Sequence, residues 1–252
     1  MLSLIDSLNP WLMGLGLNTI LLGIVAIIPK KLLTPAGILN AGLLGIIIWG
    51  TLGWQGYLVV VFYFLVGSGV TRIGMAEKEA AGIAEKRDGA RGPENVWGSA
   101  LIAAFCALGL LFFPDFKYLL CLGYVASFST KLSDTTASEV GKAYGKSTFL
   151  ITTLQPVPRG TEGAVSLEGT LAGMVASIAI ALIGWGVNLI NPLGIIWTVL
   201  AAFIATNLES VIGATLQSKY NWLTNEVVNI INTLIGATAA IIMALIYQSI
   251  FV

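Results

Sequence analysis

The segment SFSTKLSDTTASEVGKAYGKSTFLITTLQPVPRGTEGAVSLEG, residues 127–169, carries an apolar run that begins at Tyr118 straight into a polar, glycine-rich loop. Its first part holds Lys131, Asp134 and Glu139. An ionisable group at mid-bilayer costs roughly 2.5–3.5 kcal/mol on insertion scales, so three facing lipid would cost about 8–10 kcal/mol. These three are therefore expected to face a bundle interior or a wet cavity, where such groups mark function.

The surrounding chain supports that setting. Of its 252 residues 56% are hydrophobic and only 10% charged, and mean hydropathy is +0.87, outside the range of soluble domains. An all-α, polytopic integral membrane helix bundle is expected. Thirteen basic and 13 acidic residues leave no net field to recruit nucleic acid. Histidine is absent, which excludes an imidazole base, a His-ligated metal and a Ser/His/Asp triad. Cys106 and Cys121 both lie in apolar segments and read as packing residues.

Apolar runs long enough to cross the hydrocarbon core occur near 10–29, 35–52, 55–71, 95–113, 117–139, 166–190, 192–214 and 225–251, about eight helices in one membrane domain, 1–252. Pro10, Pro29, Pro35, Pro114 and Pro192 fall at the predicted ends. The first run lacks a basic leader and a cleavage signal, so it reads as a retained span. The 29 glycines suit close helix packing, and small-residue spans permit a homodimer without requiring one.

Alternating loops place Lys30, Lys31, Arg72, Lys78, Lys86, Arg87, Arg91, Lys142, Lys146, Arg159 and Lys219 on one face and only Lys117 on the other. That asymmetry predicts an even number of spans, a cytoplasmic basic face and both termini opposite. Loops 72–95, 140–165 and 215–225 become neighbours, the first two as active-face loops. The alternating signs of Glu77, Lys78, Glu79, Glu85 and Lys86 read as a short water-exposed helix. Arg87 and Arg91 flank a Gly/Pro-rich turn and are candidate phosphate ligands.

On a helix, Asp134 and Ser138 share a face with Lys131 one turn earlier. This pattern admits two readings. Asp134 holds a hydrated Mg²⁺ with a polyphosphate, or Lys131 and Asp134 form a buried ion pair. The glycines of 141–163, with Lys142, Lys146 and Arg159, let backbone amides and point charges approach phosphate. Residues 141–147, GKAYGKS, fall one residue short of a Walker A loop and follow a helix instead of a strand. Thr206, Ser210 and Gly213 share a face beside Asn207 and Glu209, and Asn225, Asn229 and Asn232 form a stripe beside Glu226. Glu209 is a candidate site residue, and the stripe also suits interhelical hydrogen bonding.

Ser133-Asp134-Thr135, Ala137-Ser138-Glu139, Gly141, the run Arg159 to Ser166 with Gly169, Glu209-Ser210, Gly213-Ala214-Thr215 and Gln217 resemble the phytyl-phosphate kinase family of tocopherol synthesis, which also contains transmembrane protein 19. The likeness covers about residues 69–232. Asp134, Ala137, Gly141, Gly145-Lys146, Pro158-Arg159 and Glu162-Gly163-Ala164 are more distantly similar to CDP-diacylglycerol synthase-type CTP transferases. Gly160 stands where those enzymes place a threonine, and their C-terminal Lys-Arg and His-Gly-Gly stretches are missing, which favours a kinase.

The resemblance implies a membrane kinase that moves the γ-phosphoryl of a nucleoside triphosphate, CTP favoured, to a prenyl monophosphate. In that reading Asp134, Lys146 and Arg159 are catalytic, and Asp134 with Glu139 or Glu209 holds Mg²⁺. Lys142, Lys146, Arg159, Glu162 and Ser138 serve the nucleotide, Arg87 and Arg91 the acceptor phosphate. The expected partners are a prenyl phosphate lipid, a nucleotide and the bilayer of a plasma, thylakoid or other internal membrane. Two rivals follow from the same residues: CTP-dependent nucleotidyl transfer to a lipid phosphate, and a small-molecule transporter.

Overall fold

The computed structural model describes residues 9–27, 32–84 and 89–251. Helix α1 spans Pro10–Ile27, α2 Pro35–Val70, the short α3 Met75–Ala80, α4 Pro93–Phe112, α5 Lys117–Tyr144, α6 Leu167–Gly186, α7 Pro192–Ile212 and α8 Asn225–Phe251. Prolines open α1, α2, α4 and α7, where a missing N–H costs nothing. Side chains cap several starts, among them those of α2, α6 and α7: Thr34 Oγ1 accepts from Gly37 N at 3.0 Å, Ser166 Oγ from Gly169 N at 3.1 Å and Asn191 Oδ1 from Gly194 N at 2.8 Å.

Six of these helices are long and apolar enough to cross a membrane. Two further passes come from geometry. In α2, Gly53 sits at φ 62° and ψ −155°, a conformation open to glycine, and the chain reverses there. In an unbroken helix, residues 37 and 67 would lie about 45 Å apart. Instead one residue spans both: the Arg91 carbonyl accepts from Thr34 N at 3.0 Å, while its guanidinium lies against Gly67. The legs 35–52 and 54–70 are thus an antiparallel pair.

The other pass is α5, which is too polar for a hydropathy criterion. Every residue from Cys121 to Asp134 is buried, because α2, α4, α6, α7 and α8 all pack around this helix. A helix with no lipid face can carry charge at membrane depth, as the sequence expectation required. The eight passes match the predicted spans, and the bundle is all-α apart from one small hairpin.

Loops expected on the basic face do meet. Gly160 packs on Ile83, Gly163 on Ser210 and Ala214, and Gly98 on Glu226. At the other end, Tyr118 Oη donates to Asn191 Oδ1 at 3.0 Å. Segment 140–165 is more ordered than a loop. Its first residues finish α5, and strands β1 (Thr148–Leu150) and β2 (Ala164–Ser166) pair antiparallel with Phe149 opposite Val165.

Candidate active site

A cavity of about 430 Å³ opens at the basic end between α5, α6, α7, α8 and the two long loops. Its deepest charged group is built on α5. Lys131 Nζ donates to Asp134 Oδ2 at 2.6 Å, one turn along the same helix, and to Asn229 Oδ1 of α8 at 2.8 Å. Lys131 and Asp134 are buried yet line the cavity. From α7, the Glu209 carboxyl faces Asp134 and lies close to Lys131 and Glu162. Three helices thus converge on a carboxylate pair flanked by one cation.

Such a pair is electrostatically costly, because like charges in a low dielectric disfavour joint ionisation unless a cation compensates them. Two carboxylates opening on a polar cavity are a donor set suited to Mg²⁺, which takes one or two carboxylates and completes its shell with water and substrate phosphate. Among the described residues no group of three or more acidic, Cys or His side chains gathers around one point. A metal held by this carboxylate pair would complete its shell with water and substrate phosphate.

The roof comes from the loops. Gly163, at φ 75°, lies so close to α7 that a Cβ there would stand 2.5 Å from the Ser210 carbonyl oxygen and the Ala214 Cβ. Beneath it, α7 widens into a π turn over Gly213–Gln217. Glycine at this position brings Thr161, Glu162 and Gly163 over the cavity, opposite Ile83 of the first loop.

The candidate residues separate into groups. Asp134, Glu139, Glu209, Ser138, Lys142 and Glu162 all line the cavity. The Glu139 carboxylate, however, is held by Lys78 Nζ at 2.5 Å and Lys142 Nζ at 3.2 Å, so its two oxygens already have cationic partners. Lys146 is exposed and does not line the cavity. Arg159 Nη1 donates to the Ala143 carbonyl at 3.1 Å, closing the C-terminal end of α5. Arg91 lies in a second cavity, between α1, α2, α4 and α5. Arg87 lies outside the described residues.

One assignment needs correction. Lys78, read from alternating signs as part of a solvated helix, is completely buried, with Nζ donating to Thr71 O at 2.7 Å as well as to Glu139. Its neighbours Glu77 and Glu79 do face solvent. No local spacing marks it, because Met75 shares a helical face with the exposed Glu79 as closely as with Lys78. The asparagine stripe also divides. Asn229 ligates Lys131 and Asn225 lines the cavity, whereas Asn232 is buried with neither amide atom hydrogen-bonded among the described residues.

The comparisons with known proteins agree with this architecture. The model of the family described as integral membrane protein DUF92 matches residues 18–237. The chain is 72% identical over 233 residues to the uncharacterized membrane protein sll0875 of Synechocystis, covering 92% of this chain and 90% of the relative. It is 44% identical over 248 residues to protein VTE6, chloroplastic, of Arabidopsis thaliana, covering 96% and 74%. It is 32% identical over 235 residues to the uncharacterized membrane protein MJ0933 of Methanocaldococcus jannaschii, covering 92% and 95%. No solved structure matches significantly.

Proposed function

We propose a function from one premise, that this chain belongs to the DUF92 family of integral membrane proteins. The protein is a membrane phosphotransferase that phosphorylates a prenyl monophosphate, such as phytyl phosphate, to the diphosphate. The resemblance of its Ser133–Gly169 and Glu209–Gln217 motifs to the phytyl-phosphate kinase family supports this reading, as does 44% identity to the chloroplastic protein VTE6 over nearly the whole chain. The observation that carries it is the polar cavity itself, where Asp134, Glu209 and Lys131 meet beneath a glycine-shaped roof at one end of a lipid-embedded bundle.

Phosphoryl transfer needs positioning and charge neutralisation more than covalent catalysis, which suits a chain without histidine. The acceptor is an ionised phosphate, so no strong base is required. Lys131 places one positive charge at the cavity floor, and Asn229 fixes its direction. Lys142 and Ser138 line the wall toward the loops, where donor phosphates enter. Glu139 orients Lys142, and Glu162 closes the roof. Lys146 and Arg159 serve the entrance, Arg159 by closing the helix end from which the phosphate loop departs. Asp134 and Glu209 would hold Mg²⁺, which supplies neutralisation of the polyphosphate charge and alignment of the donor phosphates. CTP is the favoured donor by the distant likeness to CTP-using transferases, and the basic face is the cytoplasmic one by the positive-inside asymmetry.

The test is to incubate the purified chain in detergent with prenyl monophosphates of several lengths and each nucleoside triphosphate, and to look for diphosphate. Conversion of phytyl monophosphate with at least one nucleotide is expected. Failure with every pair, from protein that is folded by thermal melting, would overturn the reading.

A further inference from the structure

A second cavity, about 100 Å³, lies between α1, both legs of α2, α4 and α5. Its walls are mostly apolar, with Leu22, Ala41, Leu44, Val60 and Phe64 among them. The cation in it is Arg91. This side chain is half-buried, donates from Nη1 to Tyr63 Oη at 2.9 Å, and lies 5.4 Å and 6.0 Å from the ring centres of Tyr63 and Phe64. Among the described residues Arg91 has no carboxylate within ion-pair distance.

A guanidinium cannot shed its proton, and a permanent cation beside apolar walls is unfavourable without an anion. The cavity's shape says what kind of anion fits. Arg91 sits at the basic end, level with Thr34 and Gly67, while the far wall is Asn18, whose Oδ1 accepts from Tyr57 Oη at 3.0 Å. From residue 67 to residue 57 the helix rises about 15 Å. That reaches about halfway through the hydrocarbon core. An anionic head at one end of an apolar slot that descends into the bilayer is the outline of a single-chain lipid phosphate.

The slot also borders the polar cavity. Tyr63 is buried between them, hydrogen-bonded to Arg91 on one side and within electrostatic reach of Lys131 on the other. We propose that the second cavity is the acceptor site, with the phosphate of a prenyl monophosphate on Arg91 and its first isoprene units between α1 and α2. Tyr63 stands between the two, and transfer requires its ring to turn aside so that an oxygen of that phosphate bonds to the γ-phosphorus while the nucleoside diphosphate leaves into the polar cavity. This rests on the phosphotransferase reading, and it assigns the two substrates to two cavities.

The experiment uses the full chain in detergent and a phytyl monophosphate probe with a diazirine on its third isoprene unit. After irradiation, peptide mass spectrometry maps the adducts. Adducts at residues 18–22 and 57–61 are expected, displaced by unlabelled phytyl monophosphate and reduced about tenfold or more in Arg91→Gln with nucleotide binding unchanged. As a variant that keeps the arginine, Ala41→Phe should raise KM for phytyl monophosphate about tenfold and leave isopentenyl monophosphate unaffected. Adducts on Met174 or Phe203, which line the polar cavity, would overturn the proposal. So would displacement by phosphatidylglycerol but not by prenyl phosphate, which would make the slot a structural lipid site. Adducts at 18–22 and 57–61 from protein that makes no diphosphate would uphold the lipid site and refute phosphoryl transfer.

Discussion

Helix α5 carries two buried lysine–carboxylate pairs that are chemically alike and positioned for different work. Lys131 and Asp134 are one helical turn apart, and their bond orders no distant chain. Lys78 and Glu139 are 61 positions apart, and Lys78 is fully buried. The first pair presents its polar atoms to a cavity shared with Glu209 and Asn229. The second pins the loop after α2 to the end of α5, so that Ile83 can meet Gly160 across the cavity mouth. A buried charge pair is thus either a reactive surface or a clamp, and what separates them is whether a carboxylate oxygen at the cavity is left without a lysine partner among the described residues, as Asp134 Oδ1 is and neither Glu139 oxygen is.

If this contrast is right, changing the first pair should abolish chemistry and spare the fold, while changing the second should do the reverse. Asp134→Asn is expected to lower turnover on the order of a thousandfold, about 4 kcal/mol of transition-state stabilisation. Asparagine still offers Lys131 an acceptor, so the melting temperature should stay within a few degrees. Near-normal turnover would remove Asp134 from the chemistry. Lys78→Met should destabilise the protein by about 3–5 kcal/mol, because it leaves a buried carboxylate short of its partner. Thermal unfolding in detergent reads this, and Lys78→Met with Glu139→Leu should regain most of the loss. A single mutant that melts like the parent would end the clamp interpretation.

Smaller effects sharpen the boundary between the regions. Asn229→Ala frees Lys131 from its interhelical acceptor and should lower kcat/KM about tenfold, with a stability loss of about 1–2 kcal/mol. Steady-state kinetics alongside melting separate the two. Arg159→Gln removes one bond to the Ala143 carbonyl, which should cost about 1 kcal/mol of stability and leave nucleotide KM nearly unchanged. A large rise in KM would instead make Arg159 a direct phosphate ligand.

The bundle was legible because each of its signals is local. Apolar runs, end prolines and the distribution of lysine and arginine give eight passes without any knowledge of packing, including the α2 hairpin that hinges on Gly53. Asp134 and Glu209 were legible for a related reason, since a carboxylate in an apolar helix announces a cavity. What the sequence concealed depends on contacts between distant segments. Lys78 sits among alternating charges that look solvated, and nothing local reveals that Glu139 waits for it. Arg159 follows a proline in a glycine-rich loop, a setting that suits phosphate binding equally well as the helix-closing bond it makes. Arg91 precedes α4, and only the reversal of α2 brings both of that helix's legs against it.

The central claim is that the α5 cavity moves a terminal phosphoryl group onto a lipid phosphate. The most direct measurement supplies CTP radiolabelled at either the γ- or the α-phosphate, together with phytyl monophosphate, to the purified chain and to Asp134→Asn. Label is expected to reach the lipid from the γ position only, and on the order of a thousandfold more slowly with the variant. Label arriving from the α position would contradict it and establish nucleotidyl transfer in its place.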